Sequence, residues 1–170
     1  KSKSTSSTEA RARGTLAGRV VIARAAIAIG KVFEAVDVAT AAVSEDANNI
    51  DARLVLARAL MLAGYPVRAS QHLETANAAA PVPLAAAEHA HVLALTGRAN
   101  DAKSKLGAIA EVELDDLDVL SQISSAHRIL GNLKEAESAA RACVDRWPDD
   151  AVGWSSLGDV LRDKGDREGA

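Results

Sequence analysis

Large side chains are scarce in this chain. Its 170 residues include one phenylalanine, one tyrosine and two tryptophans, so a core must be packed from alanine, leucine and valine at close helix spacing. A single cysteine, Cys143, excludes an internal disulfide framework. One thiol does not separate a reducing from an oxidising compartment. There is no initiator methionine and no signal peptide, which leaves a processed or excised N-terminus open. A cytoplasmic setting is favoured and a periplasmic one also fits. Long apolar runs are missing too: "RVVIARAAIAIG" and "LVLARALMLAG" are cut by arginines well before the roughly 20 apolar residues that span a bilayer. No membrane insertion is expected. Neither sign of charge dominates, since the net charge is −3 with 48% hydrophobic residues, which suits a soluble globular chain of one domain.

What the chain does have is a period. Gly30, Gly64, Gly97, Gly131 and Gly165 are separated by 34, 33, 34 and 34 residues, and five places after each stands an alanine: Ala35, Ala69, Ala102, Ala136 and Ala170. Seven places before each glycine is another small residue: Ala23, Ala57, Ala90, Ser124 and Gly158. Such self-similarity marks a repeat architecture. About a dozen residues before each glycine carry apolar side chains at helical spacing, as in Leu54, Leu56, Leu60 and Leu62, or Val119, Leu120, Ile123 and Leu130. Glycine ends that helix in the left-handed conformation. A second helix begins within a few residues, near Pro66 in one copy and near Asn100 and Asp101 in another. Polar or proline-containing stretches at Asp46 to Asn49, Pro81, Leu114 to Asp116 and Pro148 stop it. Folding back the hairpin sets the early small residue against the late alanine, so the two backbones approach closely.

These features resemble the tetratricopeptide repeat family, a helix-turn-helix unit. "AVGWSSLGDVLRDKGDREGA" has the family's tryptophan, leucine-glycine pair and turn, and "GNLKEAESAARACVDRWPDD" has its second helix and closing proline. The resemblance covers residues 16 to 170. It departs at Trp154, whose equivalents are Arg19, Arg53, Ala86 and Leu120, and at the family's tyrosine, replaced by Ala26, Leu60, Leu93, His127 and Leu161. The implied fold is all-α: an α-solenoid, a right-handed superhelix of about four and a half repeats at 16–49, 50–82, 83–116, 117–150 and a partial 151–170. Residues 1–15 are read as a polar tail and the start of the first helix. The fifth copy stops at Ala170 as its second helix should open, which reads as a piece of a longer array.

The resemblance implies that first helices line an inner, concave groove holding an extended peptide or a partner's helix. The expected groove residues are Val20, Arg24, Ile27, Leu54, Arg58, Met61, His91, Leu95, Arg128, Ile129 and Arg162. Apolar members would anchor the partner and arginines would pair its acidic groups bidentately; ordinary solvated arginines are the plainer alternative. The chaperone-tail clamp of some family members is not expected. Its equivalent places hold Val20, Arg24, Val55, Leu84 and Glu88, of which one is basic.

Chemistry has little footing. His89 and His91 lie two apart on a helix and diverge by about 200°, so they do not chelate one metal, and His72 and His127 sit on other copies. Cys143 among alanines reads as a small buried hydrophobe. The acids Asp115, Asp116, Asp149 and Asp150 read as helix caps. No cofactor and no metal are expected, and no catalysis. Nucleic acid is disfavoured by the negative net charge and an inner face without stacking aromatics. The expected role is a non-catalytic scaffold for a protein or peptide partner. Alternatives are a recognition or assembly module of a larger enzyme, such as a bacterial glycosyltransferase or sulfotransferase, and self-association through the incomplete last copy.

Overall fold

The computed structural model describes residues 14–80, 82–109 and 115–165, and α-helix is the regular structure among them. The tail from Lys1 to Ser7, the stops at Pro81 and Leu114, and Ala170 with the second helix expected there lie outside the described residues. The chain packs as two compact units, residues 1–81 and 82–170.

The first unit contains α1 (Leu16–Ala28), α2 (Val32–Glu45), α3 (Ile50–Leu62) and α4 (Pro66–Ala79). Each start has a local cause. The Thr15 hydroxyl accepts from the Gly18 amide at 3.1 Å, the Asn49 side chain accepts from Ala52 at 2.9 Å, and Pro66 opens α4 where no intrahelical donor is needed. The α1–α2 and α3–α4 hairpins stack through α2 against α3, with α1 running along α3. Ala26, Ala35 and Ala59, from three different helices, meet in one cluster with Ile27 and Val36 packed against it. Alanines at the crossing let the backbones close in without large side chains to fill the space.

The second unit contains α5 (Pro83–Leu95), α6 (Ala99–Ile109), α7 (Leu117–Ile129), α8 (Leu133–Arg146) and α9 (Ala151–Lys164). Asp116 caps α7 by accepting from Val119 at 3.0 Å, and Asp150 caps α9 by accepting from Val152 at 2.8 Å. Of the four acids read as caps, Asp116 and Asp150 take that role, whereas Asp115 lies 3.9 Å from Arg146 and Asp149 is not the cap residue of a described helix. Here α7 lies closest to α5, whereas α9 lies closest to α8. The alanines Ala87, Ala90 and Ala94 give α5 a face low enough for that approach, and Val119, Ile123, Ala126 and Leu130 of α7 fill it together with Leu106 and Ile109 of α6.

The same turn joins first to second helix throughout. At Gly30 the backbone φ is 76°, the Gly30 amide donates to Ile27 at 3.0 Å, and the Lys31 amide reaches back to Ala26 at 2.8 Å. That paired closure of orphan carbonyls is the Schellman motif. It recurs with the same two bonds at Gly64, Gly97 and Gly131. The alanines after four of the turns, Ala35, Ala69, Ala102 and Ala136, are fully buried, as are Ala23, Ala57 and Ala90 on the first helices.

Candidate protein-binding faces

In each unit the first helices lie side by side, α1 with α3 in one and α5, α7 and α9 in sequence in the other. Their fifth and ninth places differ in kind. The fifth, Val20, Leu54, Ala87 and Ser121, is turned into the packing in four of the five first helices, Val20 and Leu54 being each 7% exposed, while Ser155 of α9 is exposed. The ninth, Arg24, Arg58, His91, Ser125 and Asp159, stands at or near the surface.

The other expected groove residues divide in the same way. Ile27 packs on the Ala26–Ala35–Ala59 cluster, and Ile129 packs on Leu93, Ala94 and Ala102. Both are half-buried, as is Met61, while Leu95 is exposed at 49% and Arg162 is exposed as well. The structure brings Arg24 and Arg58 to one unit and His91, Arg128 and Arg162 to the other.

Most of these polar groups are engaged within the chain. Arg24 Nη2 lies 3.4 Å from Asp51 Oδ1 on the next first helix, with both side chains more than half exposed. Arg128 Nη1 lies 2.9 Å from Asp163 Oδ2, tying α7 to α9, and Arg162 pairs with Asp159 one turn away at 2.8 Å. The ring of His91 meets Gln122 Oε1 at 2.6 Å through Nδ1, joining α5 to α7. Burial lowers the His91 pKa, more than the Gln122 hydrogen bond raises it, and the nearby Arg128 lowers it further. Asp51 and Gln122 did not emerge from the sequence. A signal was present, because a partner 27 to 35 residues onward falls on the neighbouring first helix once the period is known.

A depression of about 430 Å³ lies between α7 and α9, lined by Ser121 and Ser125 on one side and by Ala151, Val152, Ser155, Ser156 and Asp159 on the other. Elsewhere, Cys143 is buried with Sγ 3.9 Å from the Leu117 carbonyl, and desolvation pushes its thiol pKa up, away from nucleophilic use. Among the described residues no three His, Cys, Asp or Glu side chains gather where a metal could sit. Nor is any described helix long and apolar enough to cross a membrane.

Comparison with known proteins places this geometry. The Tetratricopeptide repeat family model matches residues 26–92. A thermophilic TPR protein of Thermus thermophilus superposes with a TM-score of 0.71 at 19% identity, covering 87% of this chain and 82% of that one. A tetratricopeptide repeat protein from Parabacteroides merdae gives 0.64 at 18% identity over 88% of this chain, which spans 59% of that chain. YrrB, described as a TPR protein with an unusual peptide-binding site, gives 0.59 at 17% identity over 99% of this chain and 87% of its own. No curated protein matches the sequence. Residues 26–92 match the tetratricopeptide repeat model, and the recurrent glycine turn with its paired small residues carries the same helix-turn-helix fold through the other described copies.

Proposed function

We propose that this chain is a protein-protein interaction scaffold that holds a peptide or partner protein on its first-helix faces and performs no chemistry of its own. The observation that carries this reading is the pair of cross-helix contacts, His91 with Gln122 and Arg128 with Asp163, which fix polar side chains on adjacent first helices. Side chains held in place before a partner arrives lose less freedom when it binds. YrrB shares the fold and is described with a peptide-binding site, which supports a peptide as the class of ligand.

An acidic segment suits the first unit. The Arg24–Asp51 pair is long and well exposed, so it contributes little to stability and an incoming carboxylate competes for the guanidinium. Arg58 stands at the same place on α3. The test is a lysate pull-down with the wild type beside an Arg24→Glu, Arg58→Glu, Arg128→Glu variant, each first shown helical by circular dichroism. Capture by the wild type with loss in the variant supports the reading. Identical captures, or none, remove it.

A further inference from the structure

The hollow between α7 and α9 differs in chemistry from the arginine-bearing places of the earlier copies. Four serines, Ser121, Ser125, Ser155 and Ser156, line it, with the Ser121 hydroxyl donating to the Asp118 carbonyl at 2.9 Å, and its lining contains one charged group, the Asp159 carboxylate. Ser125 and Asp159 occupy the ninth places of their first helices, where α1, α3 and α5 carry Arg24, Arg58 and His91. The arginine of the first two copies and the imidazole of the third have become a hydroxyl and then an anion. One turn beyond along the two helices, Arg128 and Asp163 join them at 2.9 Å. Their charges are spent on each other.

Hydroxyls both donate and accept, so they suit the alternating N–H and C=O groups of an extended main chain and do not favour either charge. Asp159 supplies the bias. Its partner, Arg162 of the same helix, is well exposed, and an exposed pair one turn apart is weak. A cation entering the hollow can therefore share or replace that contact. The depression is open to solvent rather than enclosed, and small side chains on either side of the cation let an extended segment lie against its floor.

We infer that the α7–α9 hollow binds an extended peptide segment of small residues around one lysine or arginine, the hydroxyls engaging its main chain and Asp159 its cationic side chain. This rests on the scaffold reading above and gives the second unit a basic ligand where the first unit suits an acidic one.

The experiment is an amide ¹H–¹⁵N titration of the full chain with an acetylated, amidated GSAKSAG heptapeptide and with its GSAESAG counterpart. Shifts confined to the amides around Ser121, Ser125, Ser155, Ser156 and Asp159 are expected with the lysine peptide. The glutamate peptide should bind about fivefold or more weakly, the scale of one partly exposed ion pair. Asp159→Asn, a surface change that leaves the fold intact, should weaken the lysine peptide by a similar factor and abolish the difference between the two. Equal binding of both peptides, indifference to Asp159→Asn, or no shifts at millimolar peptide overturns the inference. Each of those results is distinguishable from failure of the scaffold reading, because Asp159→Asn leaves Arg24, Arg58 and Arg128 in place and a pull-down with an Arg24→Glu, Arg58→Glu variant leaves the α7–α9 helices unchanged.

Discussion

Ser124 donates its hydroxyl to the carbonyl of Ala136 at 2.9 Å, across the closest approach of α7 and α8. These are the early and late small positions of the fourth copy, and the bond reports directly how near the two backbones come. Ser124 is 1% exposed. Replacing it with the alanine found in the first three copies removes one hydrogen bond, about 1 kcal/mol, and returns part of that through better helix propensity. Urea unfolding of Ser124→Ala should therefore fall within about 1 kcal/mol of wild type. Ser124→Leu has nowhere to go and should cost about 2 kcal/mol or more through overpacking.

Glycines in this chain divide by sign of effect. Gly131 has φ of 77°, so Gly131→Ala should destabilise by about 1 kcal/mol or more although no atom obstructs a new Cβ. Gly158 is helical, and a Cβ there also meets nothing within 4 Å. Gly158→Ala should then stabilise by about 0.5 to 1 kcal/mol. Gly153 is the third case: its Cβ would fall 3.1 Å from Cys143 Cβ and 3.2 Å from α8 backbone atoms, so Gly153→Ala should destabilise despite the gain in propensity. Melting temperatures of the three variants, ranked in that order of sign, check the assignment.

The turn and the small-residue pairs were legible because they are backbone requirements: a left-handed residue and a close crossing restrict residue choice at fixed offsets, and a period exposes the offset. Side-chain destinations on the inner face were less so. Val20 and Leu54 share one register place, and the sequence alone put them on the partner's side. That place borders two faces of the helix, and the packing turns both into the interior. The polar register places at Arg24, Arg58 and His91 were visible, but the partners Asp51 and Gln122 were not, since each pairing depends on how neighbouring first helices are displaced along their axes. Likewise the close α5–α7 packing follows from three alanines on one face of α5, a pattern easily read as mere helix propensity.

Acid should weaken this fold before its carboxylates titrate. Burial is the leading cause of lowered pKa values at His72, His91 and His127. Their unfolded values are near 6.5. Below that pH the unfolded chain takes up protons that the folded chain resists, so stability is full above about pH 6.5 and is lost as pH falls through the lowered folded-state values. Urea midpoints should drop between pH 7.5 and pH 5. His91→Gln, which keeps a polar side chain facing Gln122 without a titrating ring, should make that drop smaller. An unchanged drop would remove His91 from the account and leave His72 and His127 to carry it.

The Arg128–Asp163 pair should be modest in energy and sensitive to salt. Its side chains are about a third exposed, it has a single close contact, and the α9 helix it holds is already packed on α8 through Leu157 and Leu161. A double-mutant cycle with Arg128→Met and Asp163→Asn should give a coupling of about 0.5 kcal/mol at low ionic strength. Raising salt toward about 1 M, where the screening length falls to roughly 3 Å, should remove most of it. A coupling well above 1 kcal/mol that survives salt would show that water is kept away from the pair, and Arg128→Met alone would then cost more than the coupling because Asp163 would be left desolvated and unpaired.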